Sequence, residues 1–165
     1  MNSVDVRILG IVEYSEALEL MANLQSQRID NEIPDTVLIL EHPEIVTVGP
    51  RARNDGIEAP PDYKSHPVDR GGGLTWHGPG QLVVYPVLHW NGADEKSVAD
   101  IISKIESWVI AALEELGIDA HRDERMQGVW VCEKKICSIG LSFLRWVSRH
   151  GFTINYNTSE GRVEN

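Results

Sequence analysis

Apolar positions recur along this chain in two rhythms, one near every second residue and one near every third or fourth. Val4–Val12 has the short-period pattern of a strand, with Gly10 as a break near its end. Leu18, Met21 and Leu24 recur at helical spacing, and Ser15 ahead of them is placed to cap a helix running to about Arg28. Thr36–Glu41 and Ile45–Gly49 are β-branched runs on either side of His42-Pro43-Glu44, which reads as strand, turn, strand. Residues 50–70 hold Pro50, Gly56, Pro60, Pro61 and Pro67 and predict a long loop. Leu82–Leu88 reads as a strand. The clearest helix runs from Ser97 to Leu116, with Val98, Ile101, Ile102, Ile105, Val109, Ala112, Leu113 and Leu116 on one face. Ser97 with Asp100 is a variant capping box at its start, and Gly117 is the expected cap at its end. Val129–Cys132, Lys135–Ile139 and Phe152–Asn157 are three more strand-like runs. Strands outnumber helices and come in adjacent runs, which predicts an α+β fold with a mixed, largely antiparallel sheet packed against helices.

The 165 residues contain no internal repeat and predict a single domain, 1–165. No apolar run approaches the roughly 18 residues a membrane helix needs, and the first residues show no secretory pattern, so a soluble, cytoplasmic protein without membrane contact is expected. Fifteen basic against 25 acidic residues give a net charge of −10, which argues against a nucleic-acid partner held by a general basic field. The charge is uneven. From Gly128 onward, Lys134, Lys135, Arg145, Arg149 and Arg162 outnumber Glu133, Glu160 and Glu164. A local basic face, including Arg145 and Arg149, is therefore expected to meet acidic protein partners. Cys132 and Cys137 suit neither a disulfide framework nor a four-cysteine zinc site, and both read as reduced strand or core residues.

The segment with most chemical promise is Arg70-Gly71-Gly72-Gly73-Leu74-Thr75-Trp76-His77-Gly78-Pro79-Gly80-Gln81. Five glycines let a backbone come close to a ligand, at a cost in conformational entropy. No Gly-Lys-Ser/Thr follows, so it is not a P-loop, and a strand rather than a helix comes next, so it is not a dinucleotide fingerprint. Arg70, Thr75 and His77 among the glycines suit a loop wrapped around a ligand, against the plainer reading of a mobile turn. His42, His77 and His150 lack metal-site spacing, and no metal or other cofactor is expected. Lys134-Lys135 is either a charged hairpin turn or places one lysine in a site.

In order, Glu41-His42-Pro43, Val46-Thr47-Val48-Gly49, Arg70-Gly71-Gly72 through Thr75, His77-Gly78-Pro79-Gly80-Gln81-Leu82, Tyr85-Pro86, Gly128-Val129-Trp130, Lys135-Ile136-Cys137-Ser138-Ile139-Gly140, His150-Gly151-Phe152 and Asn155 resemble the lipoyl(octanoyl) transferase family. That family shares the catalytic-domain fold of biotin and lipoate protein ligases, and the resemblance covers about Tyr14 to Asn157. It implies transfer of an octanoyl group from acyl carrier protein, through an enzyme cysteine thioester, to a lysine of a lipoyl domain. The acceptors it implies are the lipoyl domains of 2-oxoacid dehydrogenases and the glycine cleavage H protein. No ATP is needed, because the thioester is already activated. By position, the resemblance makes Lys135 the catalytic lysine. It makes Arg70, Gly71, Gly72, Gly73, Leu74, Thr75, Trp76 and His77, with Ser138, Ile139, Gly140, Gly151, Phe152 and Thr153, the residues that bind substrate.

The family's nucleophilic cysteine follows the Asn155 region, whereas here no cysteine follows Cys137. The expectation is a chain cut short at its C-terminal side, with the lysine and the acyl pocket but without the thiol, and therefore inactive alone. Two other readings accompany this one. One is a non-catalytic carrier-protein binder, and the other is an ATP-dependent lipoate or biotin ligase. Strand parity would put Lys135 on one face with Cys137 and Ile139, and Lys134 on the other with Ile136 and Ser138.

Overall fold

The computed structural model describes residues 3–159. Seven strands form one sheet: β1 (Val4–Ile11), β2 (Asp35–Glu41), β6 (Gln81–Val87), β7 (Ala120–Asp123), β8 (Met126–Val131), β9 (Lys134–Leu144) and β10 (Val147–Asn155). Their spatial order is β1-β2-β6-β10-β9-β8-β7, parallel at β1–β2 and antiparallel elsewhere. A second sheet, in the order β4-β3-β5, holds β3 (Ile45–Val48), β4 (Ser65–Pro67) and β5 (Leu74–His77).

Alternation along the central strands sends apolar side chains to both faces of the large sheet, and a helix covers each. Leu38, Leu40, Val83, Tyr85 and Val87 pack with Ala17, Met21 and Leu24 of α1 (Tyr14–Ile29). Val84, Val129, Cys137, Ile139, Leu141 and Phe152 pack with Ile101, Ile105, Val109 and Leu113 of α3 (Val98–Glu115). Ser97 caps α3 as its sequence predicts, its hydroxyl accepting the Asp100 amide at 3.1 Å. Gly117 follows the helix at φ 78°, a left-handed conformation open to glycine.

Several elements depart from expectation. The N-cap of α1 is Glu13 rather than Ser15. Its carbonyl starts the helical ladder by accepting the Ala17 amide at 3.0 Å. The expected loop over 50–70 contains the short helix α2 (Pro50–Asn54) and strand β4. Proline at the first helical position favours α2, and the Arg53 guanidinium bonds Val48 O and Val68 O, tying the helix to the small sheet. The runs around His42 do not form a hairpin, since β2 lies in the large sheet and β3 in the small one. Buried His42 holds the corner where the chain changes sheets. Its Nδ1–H donates to Val12 O at 2.7 Å, and its Nε2 accepts the Tyr85 hydroxyl at 2.7 Å. A second crossing, from β5 to β6, is made by His77-Gly78-Pro79-Gly80-Gln81. A Cβ on Gly78 would sit 2.3 Å from the Trp76 ring, and one on Gly80 would sit 1.9 Å from Asn157 O. The Gly80 amide also bonds the Glu41 carboxylate at 2.9 Å. Much of this run is therefore architecture that brings the two sheets together.

Candidate active-site cleft

Between the small sheet and the β9–β10 half of the large one lies a cleft of about 620 Å³, within the range of small-ligand sites. Gly71, Gly72, Gly73, Leu74, Thr75 and His77 line one wall. Ser138, Ile139 and Gly140 of β9, Gly151, Phe152 and Thr153 of β10, and Lys135 line the other. Arg70 also borders it. The second wall is assembled because β9 and β10 pair directly, with Ser138 opposite Thr153 and Gly140 opposite Gly151.

Backbone packing explains the glycines at two points of close approach. A Cβ on Gly140 would lie 2.7 Å from Gly71 O, and the Gly71 amide donates to Leu141 O at 3.0 Å, so the loop rests directly on β9. Gly151 faces Val84 O, which a Cβ would approach to 2.0 Å, and His150 beside it adopts φ 59°. Strain of this kind at a non-glycine residue costs roughly 1–3 kcal/mol and needs local support. Support comes from Asp69, which accepts His150 Nε2 at 3.1 Å, and from Met21, whose sulfur takes the His150 amide at 3.3 Å.

Arg70 is buried, but its guanidinium turns to protein rather than to the cleft. It donates to Thr47 Oγ1 at 2.7 Å, to Gly71 O at 3.0 Å and to Gly73 O at 3.0 Å. Arg70 therefore shapes the glycine loop, which differs from direct contact with substrate. Trp76 is not part of the cleft lining. Its neighbours Thr75 and His77 face the cleft, and alternation along β5 turns the indole away, where Nε1 donates to Glu44 at 2.9 Å.

His77 is buried at the cleft wall, and its protonation is fixed by a chain of hydrogen bonds. Gln81 Nε2 donates to Trp76 O at 3.1 Å and Asn155 Oδ1 at 2.9 Å, so Gln81 Oε1 faces His77 Nδ1 at 2.7 Å and accepts its proton. His77 Nε2 is then an acceptor. Burial holds the His77 pKa down at about 3. Burial likewise lowers His150 to about 4 despite Asp69. Both imidazoles are neutral when folded and protonate more readily when unfolded. Stability is therefore complete above about pH 6.5 and falls as pH drops toward 4, by up to ~1.4 kcal/mol per unit for each histidine. A urea midpoint that declines from about pH 7 to about pH 5 is expected, and an unchanged midpoint would contradict it.

Thr153 Oγ1 is the single buried side-chain oxygen or nitrogen without a hydrogen-bond partner among the described residues. An unsatisfied hydroxyl costs about 1–3 kcal/mol, so its place in the cleft wall suits a ligand that carries an acceptor.

Lys135 enters this cleft by an unexpected route. β8 and β9 slip register between Val129 and Trp130, since Val129 pairs with Cys137 but Trp130 pairs with Lys135, leaving Ile136 unmatched. The bulge leaves β9 irregular between Lys135 and Cys137. Lys135 lines the cleft with Ser138, Ile139 and Gly140, while Cys137 is buried in the core under α3. Lys134 is exposed and outside the cleft. Lys135 Nζ lies 5.4 Å from the Trp130 ring centre and 3.5 Å from Met126 Sδ. Burial lowers its pKa, with Cys137 and Glu106 opposing the shift. Neither cysteine lines the cleft, and burial pushes the Cys137 thiol up to about 12.

Arg149, expected to meet a partner, is ion-paired with Asp69 and bonded to Ser142. Arg145 is exposed at the β9–β10 turn, and Arg162 lies outside the described residues. Sequence reasoning missed Glu106. It is a buried carboxylate on α3 that accepts the Gly128 amide at 2.8 Å, and only its place beside Ile105 on the apolar stripe marks it.

The model of the lipoyl protein ligase A/B catalytic domain matches residues 13–164. The octanoyltransferase of Syntrophobacter fumaroxidans is 40% identical over 157 residues, covering 92% of this chain and 68% of that protein. That of Rubrobacter xylanophilus is 42% identical over 165 residues, covering 94% and 73%. Among solved structures, the bipartite lipoate protein ligase of Thermoplasma acidophilum superposes with a TM-score of 0.63 at 16% identity, over 95% of this chain and 64% of that one. Likeness at that identity speaks to the fold alone.

Proposed function

The chain belongs to the lipoyl protein ligase A/B catalytic domain family, among its octanoyltransferases, and we propose that the cleft holds the octanoyl chain while Lys135 handles the proton of the transfer. The observation that carries this reading is the convergence of the glycine loop, Ser138–Gly140, Gly151–Thr153 and Lys135 on one cleft.

The donor is octanoyl-acyl carrier protein. A thiolate beside protonated Lys135 attacks its thioester carbonyl, and the carrier sulfur leaves with the electron pair of the broken C–S bond and takes the proton of the Lys135 ammonium, which leaves Lys135 neutral. In the second half the ε-amine of a lipoyl-domain lysine attacks the enzyme thioester. Neutral Lys135 accepts the ammonium proton of the tetrahedral adduct as the enzyme thiolate departs. A lysine whose pKa is lowered by burial is suited to that proton transfer near neutral pH. The Thr153 hydroxyl can donate to the thioester oxygen and so gain the partner it lacks. The acceptors in this reading are the lipoyl domains of 2-oxoacid dehydrogenases and the glycine cleavage H protein, in the cytoplasm. Among the described residues no helix is long and apolar enough to cross a membrane.

The thiol of this scheme is neither Cys132 nor Cys137, since neither lines the cleft. Incubating the 165-residue chain with octanoyl-acyl carrier protein should therefore give non-covalent binding with no octanoyl mass gain on either cysteine. A thioester on Cys132 or Cys137 would overturn the assignment. Adenylate formation from lipoate and ATP would instead support a ligase.

A further inference from the structure

Among the described residues Glu106 is the only buried carboxylate. It stands on the α3 stripe that packs Ile101, Ile105 and Val109 against the sheet, where an apolar side chain would bury at no electrostatic cost. Its two oxygens have different partners. Oε1 takes Arg122 Nε at 3.3 Å, and Arg122 is itself held by Ser103 O at 2.9 Å and by Ser107 Oγ. Oε2 takes the Gly128 amide at 2.8 Å.

Gly128 lies at φ 131°, next to the register slip of β8. A Cβ there would lie 2.6 Å from Lys135 Cε and 2.6 Å from Cys137 O. The Lys135 stem thus lies against a backbone position that carries no side chain, and the amide of that position is the one Glu106 holds.

We propose that Glu106 is a positioning residue for Lys135, its carboxylate fixing the Gly128 backbone so that the lysine stem passes over it into the cleft. This rests on Lys135 being the proton-handling group. The groups that face Lys135 are Cys137 on β9, Glu106 on α3, Met126 and Trp130 on β8, and Arg125, paired with Asp123, at the β7–β8 turn. Of these, Glu106 and Cys137 hold the lysine pKa up, against burial.

The test measures the pH dependence of Lys135 acetylation by peptide mass spectrometry in the folded chain, with exposed Lys64 as internal reference. In the unmodified protein the Lys135 midpoint should lie below the ordinary lysine range. Glu106→Gln keeps an acceptor for Gly128 and removes the charge, so the Lys135 midpoint should fall further. Glu106→Ala removes the grip, so Lys135 should swing into solvent and its midpoint should rise toward that of an ordinary exposed lysine. A role confined to packing would lower the melting temperature and leave the Lys135 midpoint in place, and that result overturns the proposal. If the alanine variant fails to fold, Glu106→Leu, which fills the apolar stripe but offers Gly128 no acceptor, decides in its place, with an unmoved midpoint as the overturning result. The measurement needs no turnover. Transfer that survives Lys135→Ala would sink the base assignment while leaving this coupling intact.

Discussion

Replacing Lys135 by alanine in an octanoyltransferase chain that also carries the cleft thiol is expected to slow transfer on the order of 10²–10⁴-fold, the usual scale for losing a positioned proton acceptor. The effect should fall on turnover, because the proposed acyl-binding wall, from Gly71 to Thr75 and from Gly151 to Thr153, is untouched. Lys134→Ala should leave transfer near its original rate, since that side chain is exposed and outside the cleft. Equal losses from the two substitutions would defeat the assignment. The contrast is sharp because the residues are adjacent in sequence and strand alternation sends them to opposite faces of β9.

The second large effect is expected at Gly73. Both Gly72 and Gly73 line the cleft, but Gly72 sits at φ 109°, where any side chain strains the backbone. A valine there would confuse folding with binding, at a cost of roughly 1–3 kcal/mol in strain alone. Gly73 carries no such constraint. A Cβ there would meet Arg51 Nη2 at 3.4 Å, the movable end of an exposed side chain. Gly73→Val should therefore fold with a nearly unchanged melting temperature while losing most of its affinity for octanoyl-pantetheine, measured by calorimetry. A folded variant with undiminished affinity would remove Gly73 from the acyl wall.

Helix α3 was legible in the sequence because its apolar spacing, its Ser97 cap and Gly117 agree with one another, and nothing tertiary overrides them. The mixed sheet was legible as a class, since adjacent β-branched runs restrict the architecture. Its division into two sheets was not. The run at 36–41 and the run at 45–49 look like a hairpin locally, and only the burial of His42 against Tyr85 shows the chain turning away. The 50–70 segment hid α2 and β4 because prolines that suggest a loop also start a short helix and close an edge strand. At the site, glycine and lysine positions could be picked out, but the direction of each side chain could not. Trp76 belongs to the glycine-rich run yet points away, Arg70 turns inward to its own loop, and one unmatched residue, Ile136, interrupts the β8–β9 ladder beside Lys135. Glu106 was hidden because a glutamate in a helix usually faces water.

The most direct test of the central claim is photolabelling with an octanoyl-pantetheine analogue that carries a diazirine near the end of its chain, followed by peptide mapping. Labels on 71–75, 138–140 or 151–153, suppressed by excess octanoyl-pantetheine, are the predicted result. Suppressible labels confined to another surface, such as the hollow at Ile110, Glu114 and Ile118 at the end of α3, would contradict it.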